Sequence, residues 1–477
     1  MYTYMCVHMG VKEMDYDQIT GRQKREAVLN VCCALFLLAK AACFAFVWLR
    51  YYKPRMEDIF YIKGDMVVIL LYVLVDYIFT RIYGGFNAQY QTNVELIYSN
   101  IVASVLGSGI MYLVMVLLIR KLTTILPMLG LVVCSAMLSA LWSTLVKKIT
   151  RRMFHPRRTL LIYGNPEAKT DGEEILGRMP ETFRQVASAS AEIGSDELRK
   201  LIREEKARAV MLCGVSSSVR NDVVKFCVDQ NVEAFVRPNI GDYLLQGAES
   251  LQLQHIPVLL CHRASPSIWY LLVKRLADIV LSLSALILLS PLMLVTAIAI
   301  KAYDGGPVLY KQRRLTKDRK EFYVYKFRSM RVDAEKDGVA RLAQENDDRI
   351  TPVGKIIRAC RVDELPQLFD ILAGSMSIVG PRPERPEIAA QYEEEMPEFG
   401  LRLQAKAGLT GLAQVGGKYN TTPYNKLLMD LQYISEMSLA MDMKIIFATI
   451  KILFMPESTE GVADGATTAM GQEKQKQ

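Results

Sequence analysis

Four apolar segments in the first third of the chain constrain its fold most. Residues 29–49, 101–119 and 122–146 carry at most one charge each, and each is close to the ~20 residues that an α-helix needs to cross a bilayer. Residues 66–82 are more polar because they include Asp76 and Arg81. Their position between membrane segments favours a fourth spanning helix, with Asp76 facing the bundle interior. The sequence therefore predicts a membrane protein with a four-helix transmembrane bundle at residues 29–150.

Basic residues that flank these segments predict the orientation of the bundle. Eleven Lys and Arg residues lie on the side that holds both ends of the bundle, against six on the other side. By the positive-inside rule, the N-terminal segment 1–28 and everything after the bundle are cytoplasmic. The net charge of +8 suits an anionic membrane surface or phosphorylated ligands. Nucleic acid is not an expected partner, because no basic patch with interleaved aromatic residues stands out.

Residues 157–262 have the pattern of an α/β module. Short apolar runs at 159–163, 209–213 and 232–236 alternate with helical stretches, which predicts a parallel sheet with crossover helices. The first turn reads Gly164-Asn165-Pro166-Glu167, without the second glycine of a dinucleotide-binding loop. We therefore expect a degenerate Rossmann-like module with a structural or regulatory role.

A fifth apolar segment, residues 279–300, carries no charge but has Ser290 and Pro291 at its centre. Proline removes a backbone hydrogen bond and disfavours helix at the preceding residue, so the pattern predicts a break there. Both flanks are basic, whereas a spanning helix usually shows an asymmetry. These features favour a re-entrant helix at 276–302, and a kinked spanning helix is the alternative.

Histidine and cysteine usage limits the chemistry of the C-terminal part. The last of the four histidines is His262, so later residues cannot supply a histidine base or a histidine-ligated metal. The nine cysteines are odd in number and include no CxxC pair, which argues against a disulfide framework or a zinc knuckle. Carboxylates, Lys, Arg and an oxygen-liganded metal remain.

Two short blocks carry the residues best suited to phosphate chemistry. Asp363-Glu364-Leu365-Pro366 places two carboxylates at a predicted helix start, where one could act as a nucleophile and the other as a magnesium ligand. A capped helix start without chemistry is the alternative. In Gly380-Pro381-Arg382-Pro383, two prolines flank one arginine, whose guanidinium matches phosphate geometry; a rigid turn is the alternative. The other basic candidates are Lys326, Arg328, Arg349, Arg358 and Arg361.

From Lys274 to about Thr449 the chain resembles the bacterial sugar transferases, the monotopic phosphoglycosyl transferases that start glycan assembly on polyprenol phosphate. The matching blocks, in order, are Gly305-Gly306-Pro307-Val308, Lys326-Phe327-Arg328-Ser329-Met330, Asp348-Arg349-Ile350-Thr351, Asp363-Glu364-Leu365-Pro366-Gln367-Leu368, Gly380-Pro381-Arg382-Pro383 and Gly408-Leu409-Thr410-Gly411-Leu412-Ala413-Gln414-Val415. The preceding bundle and α/β module resemble the large subtype in architecture. The resemblance implies an α+β catalytic domain at 270–455 with a re-entrant helix, followed by a flexible tail at 456–477.

The resemblance also implies a reaction and roles for individual residues. A sugar 1-phosphate would pass from a UDP-sugar to undecaprenyl phosphate, with release of UMP, in the first membrane step of exopolysaccharide, capsule or O-antigen synthesis at the bacterial cytoplasmic membrane. Asp363 would attack the phosphorus next to the sugar, and Glu364 would help to hold Mg²⁺. Ser290 and Pro291 would form the membrane hinge. The residues expected at the substrates are Arg382, Pro381, Lys326, Arg328, Arg349, Arg358, Arg361 and Gln414.

Some positions depart from the usual family pattern, and some questions stay open. Asp370 stands where the family commonly has Asn, and Ala407 stands where Pro is common. UDP-glucose and UDP-galactose are the expected donors by family association. A catalytically inactive membrane scaffold and an inverting glycosyltransferase are the alternative functions. The sequence leaves the oligomeric state open, a homodimer included.

Overall fold

A computed structural model describes residues 14–56, 62–332, 349–417 and 422–453. The predicted tail at 456–477, Asp348 and part of the predicted segment 1–28 lie outside the described residues. The chain divides into two compact units between Arg237 and Pro238.

The first unit begins with the four helices that the apolar segments predict. Helix α1 is continued by a π-helical turn, Trp48–Tyr52. Three of the four helices, α1, α3 and α4, are long and apolar enough to cross a membrane. Helix α2 also carries four charged residues, so its crossing of the membrane stays a prediction. The helices are α1 (Met14–Val47), α2 (Ile62–Ile82), α3 (Asn93–Ile119) and α4 (Leu126–Met153).

The charged residues of the bundle interior are paired. Asp76 is 1% exposed and its Oδ1 lies 2.5 Å from Nζ of Lys40, which is fully buried on α1. The prediction that Asp76 faces the bundle interior is therefore confirmed. Asp65 accepts hydrogen bonds from Trp48 Nε1 at 2.9 Å and from Lys53 Nζ. Loss of one partner from either pair would leave a buried charge uncompensated, which is strongly destabilising.

A parallel sheet completes the first unit. Its four strands run in the order β2-β1-β3-β4, and all three pairings are parallel, as the alternating pattern predicts. The core of the sheet consists of apolar side chains from its central strands, because these strands are covered on both faces. The elements are β1 (Arg157–Tyr163), α5 (Pro166–Arg178), β2 (Phe183–Ser190), α6 (Ser195–Glu204), β3 (Ala209–Cys213), α7 (Ser217–Asp229) and β4 (Glu233–Val236).

The second unit begins before residue 262, the predicted end of the α/β module. It starts with α8 (Ile240–Gln246), whose Ile240 and Tyr243 pack against the main apolar core of this unit. The hairpin strands β5 (Glu249–Leu253) and β6 (Ile256–Leu260) follow, and then comes the long helix α9 (Ile268–Asp304).

Short elements joined by long connections build the rest of the second unit. Strands β7 and β8 form an antiparallel hairpin, and β9 and β10 form a short parallel pair. The elements are β7 (Leu309–Leu315), β8 (Glu321–Phe327), α10 (Pro352–Ala359), α11 (Gln367–Ala373), β9 (Ser377–Val379), α12 (Pro386–Glu395), β10 (Gly408–Thr410), α13 (Leu412–Gly416), α14 (Pro423–Ser435) and α15 (Leu439–Leu453).

Helix α9 continues through Ser290 and Pro291, where the sequence predicts a break. Pro291 has no N–H to donate to the carbonyl of Ile287 one turn earlier. The hydroxyl of Ser290 donates to that same carbonyl at 2.9 Å, so the carbonyl keeps a partner. This local replacement explains how the helix accommodates the proline.

Both halves of α9 contact other elements of the second unit. Before Pro291, Asp278 accepts hydrogen bonds from Ser377 Oγ at 2.8 Å and from the backbone N–H of Ile378 at 3.0 Å. After Pro291, Ile300 belongs to an apolar cluster with Phe327 and Ile357. By length and composition α9 is also long and apolar enough to cross a membrane, so the re-entrant topology stays a prediction.

Cysteine labelling tests this topology directly. We expect Leu272→Cys and Tyr303→Cys, both at exposed positions near the two ends of α9, to react with a membrane-impermeant thiol reagent from the same side. The exposed Cys261 and Cys360 would first be replaced by Ser to remove background labelling. Labelling from opposite sides would contradict the re-entrant topology. Pro291→Ala serves as a comparison, because a proline-free helix should favour a straight, spanning arrangement.

Candidate active site

The two acidic candidates lie on a 3₁₀ turn, Val362–Glu364, that directly precedes α11. The helix start that the sequence predicts at Asp363 lies further along the chain, because the N-cap of α11 is Pro366. The chain keeps winding through Leu365 and Pro366, which both have helical dihedral angles, so the α-helix begins one turn later than expected. Arg361 starts the 3₁₀ turn with a φ of 54°, a left-handed conformation that is uncommon for a residue other than glycine.

Glu364 is the anionic centre of the site. Its Oε1 accepts hydrogen bonds from Lys326 Nζ at 3.0 Å and from Arg382 Nη2 at 2.9 Å, and its side chain is 13% exposed. Burial alone would raise the pKa of Glu364, but the charges of Lys326, Arg382 and Arg361 outweigh it and hold the pKa well below the ordinary value. Glu364 is therefore ionised at physiological pH.

Asp363 has the opposite electrostatic balance. Burial and the negative charge of Glu364 raise its pKa, although Lys326, Arg358 and Arg382 act in the other direction. Neighbouring acids whose pKa values are driven apart are suited to different roles. The more basic carboxylate of Asp363 is the better nucleophile, and Glu364 is the fixed counter-charge of two cations.

Close backbone contact brings the Pro-Arg-Pro turn to the glycine-rich block around Gly408. The N–H of Gly408 donates to Pro381 O at 2.9 Å, and the N–H of Gly380 donates to Thr410 O at 2.9 Å. A Cβ on Gly380 would lie 2.2 Å from Lys406 O, and one on Gly408 would lie 2.1 Å from the backbone nitrogen of Gly380. Both positions therefore require glycine, which explains why these two blocks meet.

A small pocket joins the motif blocks. Its empty space is about 250 Å³, open solvent included. Five of its residues are absent from the sequence-based set of site residues, and Arg314 is the one charged residue among them. Arg314 lies two residues after Gln312, so the two share one face of a β-strand, and the surrounding run of residues is basic. This pattern is the signal that could have identified Arg314. The lining residues are Arg314, Val324, Lys326, Glu364, Gln367, Arg382, Pro383 and Gly408.

The remaining predicted residues fall into two groups. Arg358 and Arg361 act on the acid pair through their charges, as described above, and Pro381 supports the turn. Arg328 instead pairs with Asp304 at the end of α9, and Gln414 Nε2 donates to Leu409 O at 3.1 Å. Arg349 accepts a backbone hydrogen bond from Arg331. None of these six residues lines the pocket, and the substrate contacts of all the predicted residues stay predictions.

The chemistry of the donor set is compatible with a magnesium ion only if substrate oxygens contribute. The described residues contain no group of three His, Cys, Asp or Glu side chains arranged to hold a metal. Oε1 of Glu364 is already shared by Lys326 and Arg382. Mg²⁺, however, often binds through one or two carboxylates together with phosphate oxygens and water. Glu364 fits that mode through its second carboxylate oxygen.

Asp370 on α11 is a buried acid close in sequence to the site. Its Oδ2 accepts a hydrogen bond from the backbone N–H of Tyr325 at 3.1 Å, and burial raises its pKa to about 6. The neighbouring residue of Tyr325 on β8 is Lys326, which contacts Glu364. An asparagine could accept the same hydrogen bond without the cost of burying a charge.

A larger cavity, of about 650 Å³ with open solvent included, lies elsewhere in the second unit. Its walls come from α8, α14, the loop before α9 and the 3₁₀ segment Pro397–Gln404, and include Tyr243, His262, Gln404 and Ser435. None of its lining residues is an acid, a lysine or an arginine. The smaller pocket is lined by Glu364 and three basic side chains, and Asp363 is the neighbour of Glu364 in the chain, so this pocket is the better candidate for phosphate chemistry.

Comparison with known proteins shows that this pocket lies in a region of the chain that matches a known family. The family model described as bacterial sugar transferase matches residues 269–456, which include every residue of the small pocket. An exopolysaccharide production protein of Rhizobium leguminosarum is 46% identical over 189 residues, which are 38% of this chain and 94% of that protein.

Two longer relatives are matched over only part of their length. A UDP-glucose:undecaprenyl-phosphate glucose-1-phosphate transferase of Klebsiella pneumoniae is 33% identical over 289 residues, 58% of this chain and 62% of that protein. A UDP-N-acetylgalactosamine-undecaprenyl-phosphate N-acetylgalactosaminephosphotransferase of Aeromonas hydrophila is 42% identical over 191 residues, 39% of this chain and 45% of that protein. The chain therefore covers less than two thirds of the length of each of these two relatives.

Proposed function

The chain belongs to the bacterial sugar transferase family, and we propose that it is a phosphoglycosyl transferase. It transfers a sugar 1-phosphate from a UDP-sugar to undecaprenyl phosphate and releases UMP, as the first membrane step of bacterial polysaccharide synthesis. The observation that supports this most is the acid pair beside a pocket lined by Lys326, Arg382 and Arg314, since such a site can bind a diphosphate and attack it.

The proposed reaction has two steps at one phosphorus atom. In the first, a carboxylate oxygen of Asp363 attacks the phosphorus attached to the sugar, and the bond from that phosphorus to UMP breaks. UMP leaves with the electron pair of that bond, and an acyl phosphate links Asp363 to the sugar. In the second step, a phosphate oxygen of undecaprenyl phosphate attacks the same phosphorus. The carboxylate of Asp363 is regenerated, and the product is a polyprenyl diphosphate sugar.

The cations around Glu364 stabilise the charge of the reacting phosphates. Lys326 and Arg382 are both held by Glu364 Oε1, so they are oriented before substrate binds, and preorganised charges are the most effective kind. A Mg²⁺ ion held by Glu364 and substrate oxygens would further neutralise the diphosphate.

The names of the relatives and the fold also support a proposal on where in the cell the reaction takes place. We propose that the chain lies in the bacterial cytoplasmic membrane with the second unit on the cytoplasmic face, where nucleotide sugars are made. The contacts of both halves of α9 with this unit, and the basic residues at both ends of the bundle, are the supporting observations.

Turnover of a panel of donors tests the proposal. UDP-glucose, UDP-galactose and UDP-N-acetylgalactosamine would each be incubated with the purified full-length protein, undecaprenyl phosphate and Mg²⁺. We expect release of UMP with at least one donor, loss of turnover in EDTA, and recovery when Mg²⁺ is added back. Release of UDP would instead identify an inverting glycosyltransferase. No nucleotide release with any donor would favour the scaffold alternative, and full activity in EDTA would remove the proposed metal.

A further inference from the structure

A buried arginine outside the pocket contacts the Pro-Arg-Pro turn. Arg402 lies in a 3₁₀ segment, Pro397–Gln404, and is 4% exposed. Its Nε donates to Asp430 Oδ2 at 2.8 Å, and Asp430 on α14 is 1% exposed. The Nη2 of the same guanidinium donates to the backbone carbonyl of Arg382 at 2.9 Å. One rigid group therefore links α14 to the residue that contacts Glu364.

The neighbouring carbonyl of the turn is held in the same way. Arg314 Nη1 donates to Pro383 O at 3.0 Å. Glu384 lies between the two arginines, 3.7 Å from Arg314 Nη1 and 3.8 Å from Arg402 Nη1. Two consecutive carbonyls of the turn thus each accept a hydrogen bond from a buried or half-buried arginine.

The hydrogen bond from Arg402 acts on the ψ angle of Arg382, which the two prolines restrict only in part. The rings of Pro381 and Pro383 fix their own φ angles, and Pro383 disfavours the helical region for Arg382. The orientation of the Arg382 carbonyl still depends on the ψ angle of Arg382. Because the Arg382 side chain is 42% exposed, packing alone does not hold its guanidinium against Glu364. The hydrogen bond from Arg402 fixes that orientation.

We propose that Arg402, held by Asp430, is a positioning residue that aims Arg382 at Glu364 and the substrate phosphate. A buried ion pair is weak evidence for stability, because its desolvation cost can exceed the attraction between the charges. A role in fixing the conformation of the turn accounts for the pair. The inference rests on the proposed function only for its effect on turnover, since the effect on the turn itself is independent of the reaction.

Arg402→Lys keeps the charge but cannot bind Asp430 and the Arg382 carbonyl with the same fixed geometry. In the full-length protein we expect backbone hydrogen exchange of the peptide that contains Arg382 to accelerate about 10-fold or more beyond any change in the other peptides of the second unit. Arg319→Lys is the matched control, because Arg319 is 59% exposed and pairs with Glu393 at the surface. Asp430→Asn is a second variant that removes only the counter-charge, and it should accelerate the same peptide.

Turnover separates positioning from a merely structural role. We expect Arg402→Lys to lower kcat about 10- to 100-fold, as small misplacement of a catalytic group does. In an Arg382→Lys background the same change should lower kcat less than about twofold, because residues that act as a unit are not additive. Additive losses, or unchanged exchange of the Arg382 peptide, would overturn the inference. If the wild type released no UMP, the proposed function would fail and the exchange result alone would decide this inference.

Discussion

Asp363→Asn is expected to abolish turnover, with a loss of roughly 10³-fold or more, about 4 kcal/mol of barrier. Asparagine keeps the shape of the side chain but cannot form the acyl phosphate. Incubation of the wild type with a UDP-sugar but no lipid should leave one sugar phosphate on the protein, detectable by intact mass. The variant should show no such adduct. An adduct on Asp363→Asn, or near-normal turnover, would favour direct attack of the lipid phosphate on the donor.

The control for this variant is Asp370→Asn. Asp370 is also a buried acid in the same unit, but its oxygen accepts a backbone hydrogen bond that an asparagine can accept as well. Turnover of Asp370→Asn should stay near that of the wild type. The rate of adduct formation in the wild type should also fall toward acid pH as Asp363 becomes protonated. This loss should begin above the ordinary carboxyl range, because burial and Glu364 raise the pKa of Asp363.

Glu364→Gln is expected to lower kcat about 10²-fold or more. The variant leaves Lys326 and Arg382 close together without the carboxylate that neutralises them, so their orientation toward the phosphates is lost. It also removes one proposed oxygen ligand of Mg²⁺, and the Mg²⁺ concentration needed for half-maximal turnover should rise. Turnover would be measured as UMP release over a Mg²⁺ titration.

Glu393→Gln is the matched control for Glu364→Gln, because Glu393 pairs with the exposed Arg319 outside the pocket. It should leave both kcat and the Mg²⁺ requirement unchanged. Near-normal turnover of Glu364→Gln would show that Glu364 has no role in the reaction. An unchanged Mg²⁺ requirement with a low kcat would keep Glu364 as the counter-charge of the two cations and remove it as a metal ligand.

Features that depend on local pattern were predictable from the sequence. The lengths of the apolar segments predicted the helices of the bundle, and the alternation of strands and helices predicted the parallel sheet. The acid pair and the Pro-Arg-Pro turn were identified by residue type and spacing, and the structure brings them into contact through Glu364 and Arg382. These predictions succeed because hydrophobic periodicity and side-chain chemistry are properties of short stretches of chain.

Features that depend on pairing between distant residues were decided only by the tertiary structure. The sequence pointed Asp76 inward but did not identify Lys40 as its partner, 36 residues away. It did not identify Asp304 as the partner of Arg328. It predicted a break at Pro291, whereas the helix continues there and the Ser290 hydroxyl bonds the carbonyl that Pro291 cannot. It also missed the contacts of Arg314 and Arg402 with the Pro-Arg-Pro turn. Which cation meets which carboxylate or carbonyl depends on how the elements pack, because buried charges and polar groups must find partners wherever the fold places them.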